Sequence, residues 1–588
     1  MTKKTKIFLY ILSACSFITS FILLLIRFNS KITQSLMIFI QKFRPDIGME
    51  KIVKLYSFID CNILFFFLFG ISFILLVFLK FNNEDEYSFK FFYPIKAFNK
   101  EKYNWILAFI FIFITIIRFY WITQKITFHM DELYGISILH YNEYGLWSGK
   151  DFDKLIPYTG KQIKDLIFFD NGSIKDTFKD LIHLWIYNRD PAYNNLFFII
   201  SRIWYTGLET SDFTTIIWRE SLLNYIFFCF SFYFFILLLN KITDNKITKA
   251  ICIILAFLNP ATIGISVFLR SYALQETLLI LFTYLFVLYI KNINEKHNIN
   301  NKRNFIATTL ILFLVMNCDY FSFLYIGILG LILIIYLIYK KELPTLYSLI
   351  CSLLLALIIS KICYLNFGVG FFTDRGTEAF NVLNSSENRF LKALTSVYNL
   401  ISFNICNLIV LFIILVIGII LHKKDLNCHI LIFNAALLWC FTVMFFAPYN
   451  TLRYIAPIFP LFTIALAYKK QSNTLLNYVL SSLLIIPVIL SFINVIPLKT
   501  NNSKIEHLND ADPKVLNAEY LNDVNTKVYI DRSSLYAQLL PYLNDQQIYY
   551  FVDSLEEIKS YNLTDKKFYY IKYNDDSTHE FTVLKINN

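Results

Sequence analysis

The sequence predicts an α-helical protein crossing a membrane many times, with a large external loop and a small α/β tail. Three observations predict it. First, 56% of the 588 residues are hydrophobic and only 16% are charged, whereas a soluble domain carries about 25% charge. Second, the apolar residues fall in runs near the length of about 20 that a helix needs to cross hydrocarbon. Third, the basic residues sit in short connections between those runs, as they do on the cytoplasmic side of a membrane protein. Disorder is excluded by the apolar fraction. The net charge of +11 does not imply nucleic acid, because lysine far outnumbers the twelve arginines and lies between spans. Nine of the ten cysteines lie within apolar runs and Cys428 stands at the edge of one, with no CxxC pair; they read as small core residues rather than a disulfide or zinc framework.

Taken in order, the runs give thirteen spans: 7–27, 61–81, 104–122, 219–240, 250–268, 272–290, 304–319, 322–339, 345–364, 398–421, 428–447, 453–468 and 474–496. Only the tight turn Asn317-Cys318-Asp319-Tyr320 separates the seventh from the eighth, with Asp319 as its cap. Lys241/Lys246/Lys249, Lys291/Lys296/Lys302/Arg303, Lys340/Lys341, Lys423/Lys424 and Lys469/Lys470 share a side with the N-terminal lysines. That side is the cytoplasm by the positive-inside rule. The basic 28–60 segment dissents, and is expected as an amphipathic stretch on the headgroups.

Three long segments then face outward: 123–218, 365–397 and 497–588. Long loops in compact proteins usually carry function, so the chemistry is expected outside. No Walker A or GxGxxG motif occurs, which argues against a nucleotide as the energy source. Residues 498–588 hold 24 charged positions. Strand-like runs at 527–531, 547–552, 567–573 and 580–586 predict a small α/β domain there. The expected division is 1–103, two N-terminal spans; 104–496, the membrane core with loop 123–218; and 497–588, the external domain.

Candidate chemistry begins at Phe128-His129-Met130-Asp131-Glu132-Leu133-Tyr134-Gly135, just beyond the third span. The following LYGISILHY reads as a partly apolar helix lying on the membrane, with the acids in its first turn, where the helix dipole favours them. Asp131 as a plain cap remains the alternative. Asp190-Pro191-Ala192-Tyr193-Asn194-Asn195 precedes Ile203-Trp204 and Trp218-Arg219-Glu220. Asn259-Pro260 precedes Leu269-Arg270-Ser271-Tyr272-Ala273-Leu274, and Thr451-Leu452-Arg453-Tyr454-Ile455-Ala456-Pro457 closes the series.

In this order the segments resemble those of the GT-C membrane glycosyltransferases, particularly the branch of protein O-mannosyltransferases and bacterial aminoarabinose transferases. The likeness covers about 104–468. It implies a GT-C-like fold for the thirteen spans read from the apolar runs, and a sugar donor linked through phosphate to a polyprenyl lipid. It further implies transfer with inversion to a hydroxyl of a lipid, glycan or protein acceptor on the extracytoplasmic face. The family's first acid, taken as base on that hydroxyl, maps onto Asp131, with Glu132 beside it. Two departures stand out: the family's His-Pro-Pro is here Asp190-Pro191-Ala192, and two extra spans precede the acidic pair.

The residues alone agree with such a reaction, which needs a base near the incoming hydroxyl and cations on the departing phosphate. Arg219, Arg270 and Arg453 lie near external span ends, with Tyr272 and Tyr454 beside them. They read either as phosphate ligands or as interfacial anchors. Asp190 is either a second catalytic acid or a turn-forming Asp-Pro. His129 and His183 share the loop with these acids, leaving a divalent metal open, although no compact HExxH motif is present; no other cofactor is called for. Asp374, Arg375 and Glu378 read as solvated loop charges. A transporter or lipid-glycan flippase would instead need ionisable residues and broken helices in mid-membrane. A polysaccharide polymerase or ligase shares the setting without the early acidic pair. Abundant Lys, Ile, Asn, Phe and Tyr point to an AT-rich genome and a bacterial plasma membrane, N-terminus cytoplasmic and tail external.

Overall fold

In the computed structural model the described residues are 102–125, 128–139, 152–167, 173–186, 196–207, 213–296, 302–364, 367–368, 388–404, 428–447, 451–467, 489, 493, 499–500, 503–504, 525–532, 539, 543–560, 567–573 and 581–587. The first two spans, most of 398–421, nearly all of the 474–496 span, the 28–60 segment, Asp190 and the Asp374–Glu378 group lie outside them. Among the described residues six helices are long and apolar enough to cross a membrane, and one bent pair of helices brings the number to seven if it counts as a single span. The helices are α1 Lys102–Thr123, α2 Met130–Leu139, α3 Gly160–Ile167, α4 Ile174–Ile186, α5 Leu196–Trp204, α6 Phe213–Ile242, α7 Lys246–Phe257, α8 Pro260–Val267 and α9 Tyr272–Asn294. They continue with α10 Lys302–Met316, α11 Tyr320–Tyr339, α12 Leu343–Cys363, α13 Arg389–Asn404 and α14 Cys428–Phe446. The six span-length helices are α1, α6, α9, α11, α12 and α14.

The chain divides into two compact units. One comprises Lys102–Asp190, Asn195–Thr277 and Ser386–Asn588; the other comprises Met1–Glu101, Pro191–Asn194 and Leu278–Ser385.

In the first unit the 250–268 run is not one span. It breaks into α7 and α8, bent by 50°. The cause is local chemistry. Pro260 has no N–H to donate and suits the first position of a helix. Asn259 caps it, accepting the Thr262 N–H at 3.0 Å while its amide donates to the Leu255 and Ala256 carbonyls. Arg118, buried on α1, donates to the carbonyls of Thr262 at 3.1 Å and Phe257 at 3.4 Å and lies over the Phe228 ring of α6. A bare break in an apolar setting would strand those backbone acceptors. The 453–468 run is likewise no single helix, but a chain of short α and 3-10 turns over Leu452–Leu466. Pro457 and Pro460 interrupt its ladder.

The tail strands form where alternation predicts them: β2 Lys527–Asp531, β3 Ile548–Val552, β4 Lys567–Tyr573 and β5 Phe581–Asn587. Their sheet takes a fifth strand from the first loop, β1 Tyr158–Thr159, giving the order β1-β3-β2-β4-β5. β2 is parallel to β3 and β4, and the outer pairs are antiparallel. Loop and tail thus complete one sheet. Phe152 stacks on Phe551 with ring centroids 4.0 Å apart, and the Leu155 N–H donates to the Phe551 carbonyl. Lys164 pairs with Asp545, and Lys154 with Asp553 and Glu557. Gly160 is required where the two meet, since a Cβ there would lie 2.1 Å from the Asn544 carbonyl oxygen.

In the second unit, Asp319 caps α11 as expected, accepting the Phe321 N–H at 2.7 Å. The helix before it, α10, ends at Met316 after 15 residues. Hydroxyl and amide pairs join the helices: Thr283 with Tyr325, Tyr289 with Thr308, and Asn317 with Ser360. Such pairs satisfy polar groups that lipid cannot.

Candidate functional site

The site is assembled at α2, immediately after α1. Its sequence MDELYGISIL suggested a helix lying on the membrane, but the structure buries it: Glu132, Leu133, Ile136, Ile138 and Leu139 are all 3% exposed or less. The correction has a physical reason. Apolar residues run almost all round α2, so it lacks the polar face of a surface helix. Each buried Leu or Ile there contributes about 1.5–3 kcal/mol relative to exposure.

The two adjacent carboxylates have separate environments. Glu132 is fully enclosed. Both of its oxygens accept from Lys125 Nζ at 2.9 Å, Oε1 accepts the Leu269 N–H at 2.7 Å, and Oε2 accepts the His129 N–H at 2.6 Å. Burial pushes its carboxyl above the ordinary range, while Lys125 and the two backbone donors pull it back. All of these donors suit the ionised form. Glu132 therefore ties α2 to the end of α1 and to the loop between α8 and α9.

Asp131 points the other way, its side chain 31% exposed. Its Oδ2 lies 3.0 Å from Arg453 Nη2 and 3.7 Å from His129 Nδ1. The Asp131 N–H donates to that same Nδ1 at 3.1 Å, so Nδ1 is an acceptor in this arrangement. Arg270 Nη1 donates to the Asp131 carbonyl at 2.9 Å. Arg270 lies across Gly135, where a Cβ would come within 3.2 Å of Nη1. The loop bearing Arg270 is held from the far side by Asn224, whose amide donates to the Phe268 carbonyl at 2.9 Å.

Arg453 rests over the Phe268 and Tyr454 rings, and Tyr454 neighbours Tyr272 with centroids 6.5 Å apart. Arg270 also lies over the Phe198 ring, so four segments far apart in sequence, at 129–135, 198, 268–272 and 453–454, converge on one partly exposed carboxylate and two arginines. Of the residues proposed from sequence, Asp131, Glu132, Arg270, Tyr272, Arg453 and Tyr454 come together. Arg219 is engaged elsewhere: Nε and Nη2 donate to the Trp204 carbonyl at 3.2 and 2.7 Å, its guanidinium covers the Trp204 ring, and Trp204 Nε1 donates back to the Arg219 carbonyl. That bracket joins α5 to α6.

Among the described residues no three His, Cys, Asp or Glu side chains are grouped to hold a metal. Sequence reasoning missed Lys125, whose signal is a lone lysine just past the end of an apolar span and seven residues before Glu132. It also missed the buried pair Arg202–Asp180, at 2.8 Å, which binds α5 to α4.

The chain matches no protein-family model and no curated protein.

Proposed function

We propose that this protein is an integral-membrane glycosyltransferase that moves a sugar from a polyprenyl-phosphate donor to an acceptor hydroxyl outside the cytoplasm. The observation that carries the reading is the convergence of Asp131, Arg270 and Arg453 at one partly open position, with Glu132 holding the site from behind. In the reaction the acceptor oxygen attacks the anomeric carbon and its proton passes to the Asp131 carboxylate. The bond from that carbon to the phosphate oxygen breaks with inversion, and polyprenyl phosphate leaves with both electrons. Arg270 and Arg453 would hold the leaving phosphate, where forked, permanently charged donors suit it. The donor's phosphate would compete with Asp131 for Arg453, so donor binding would also release the base. Tyr272 and Tyr454 offer aromatic faces beside the cations.

The same reading places about thirteen spans in a bacterial plasma membrane, with an inner N-terminus and the sheet of loop and tail outside. The acceptor is a lipid, glycan or protein hydroxyl. Purified protein in liposomes, given polyprenyl-phosphate sugars and an envelope lipid extract, should transfer label to an acceptor. Asp131→Asn should abolish transfer while leaving folding and insertion intact, and full activity in that variant removes the mechanism.

The bent span favours a second reading, a transporter or lipid-glycan flippase, because broken helices and buried ionisable groups such as Arg118 and Glu276 mark substrate paths. Asn259 and Arg118 satisfy the break internally, which weighs toward a structural bend that presents the Arg270 loop. Donor-independent flipping of a fluorescent polyprenyl-phosphate sugar would favour the second reading.

A further inference from the structure

Helix α4 has two distinct faces. Thr177, Asp180 and Leu184 are buried; Asp180 accepts from Arg202 of α5, and Thr177 bonds to Thr206 just beyond it. A second face, about a third of a turn round the helix, carries Ile174, Phe178, Ile182 and Trp185, which are 68%, 63%, 54% and 42% exposed. Their spacing of four, four and three residues makes one continuous stripe along the helix. Ile203 of α5, 54% exposed, adds to the exposed apolar surface of this loop. Lys175 and Lys179 are exposed next to the stripe. Large apolar side chains in a row are costly in water and mark a surface that something covers.

We propose that the covering is the bilayer itself: α4 lies in the headgroup layer of the outer leaflet, with the stripe among the acyl chains and both lysines among anionic headgroups. Three observations select lipid over a protein partner. The stripe joins apolar and basic residues, the composition of an interfacial helix. It ends in Trp185, a residue type that favours the membrane–water boundary. The Trp204–Arg219 bracket fastens α5 to the outer part of α6, a helix long and apolar enough to cross, and the Asp180–Arg202 pair fastens α4 to α5. Those ties hold α4 close to the end of a crossing helix. They also moor α2, which packs on α4 and α5, so that Asp131 sits close to the membrane surface. The proposal needs the membrane setting but not the glycosyltransferase chemistry.

The test uses the full chain in nanodiscs of phosphatidylcholine and phosphatidylglycerol, with or without brominated acyl chains. The emission of Trp185 is read as the difference between the wild-type protein and Trp185→Phe. Bromolipid should cut that difference roughly twofold or more, as for an interfacial side chain, while aqueous acrylamide leaves it nearly unchanged. A Phe178→Trp substitution in the Trp185→Phe background should be quenched in the same way. Quenching by acrylamide but not bromolipid would overturn the proposal by putting the stripe in water. Quenching by neither would overturn it by showing that protein covers the stripe.

Discussion

Helices α2 and α4 belong to the same loop, yet they solve opposite problems. α2 is apolar nearly all round and disappears into the fold with one of its two acids. α4 is apolar on one side and polar on the other, and it keeps its apolar side outward. The difference shows what a charge beside an apolar run means here. On α2 it is a buried anchor or a partly exposed carboxylate, separated by one residue position. On α4 Asp180 is a tie and the lysines form a rim.

The largest effect expected from breaking this contrast is at Glu132. Glu132→Ala leaves Lys125 buried without its partner and strips two backbone donors, a class of change that costs about 3–5 kcal/mol. A steep fall in the unfolding temperature of detergent-purified protein would show it. Replacing both members, Lys125→Met with Glu132→Leu, should recover part of the loss, because no lone charge is then left buried.

Gly160→Ala comes next. Its Cβ would collide with the Asn544 carbonyl, so a cost of about 1–3 kcal/mol is expected, as for overpacking. Faster proteolysis between loop and tail is the readout. Arg219→Lys should cost less, about 1 kcal/mol, since a lysine keeps the charge but loses the forked donation to Trp204. On the outward face, Phe178→Ser should change stability in detergent by no more than about 0.5 kcal/mol. A large loss there would mean that the stripe packs on protein.

Much of this was readable in the sequence. Length and hydropathy marked α1, α6, α9, α11, α12 and α14, because a span is a local property of some twenty residues. Alternation marked the four tail strands for the same reason. The bend between α7 and α8 was present as Asn259-Pro260, but hydropathy averages over it. β1 was not legible: two residues make no pattern, and their partners Tyr549 and Ile548 lie almost 400 positions away. The site divided in the same way. Asp131, Arg270 and Arg453 were marked by their place at span ends and by motif order. Lys125 was not, nor was the different fate of Asp131 and Glu132, since adjacent residues differ in burial only once the helix has a neighbour.

That division can be measured directly. Sugar transfer and thermal unfolding should be recorded together for Asp131→Asn and Glu132→Gln in liposomes. The expected result is that Asp131→Asn keeps the wild-type unfolding temperature and loses transfer, while Glu132→Gln unfolds earlier and keeps transfer in proportion to the protein still folded. Transfer retained by Asp131→Asn, or lost by a fully stable Glu132→Gln, would contradict the account.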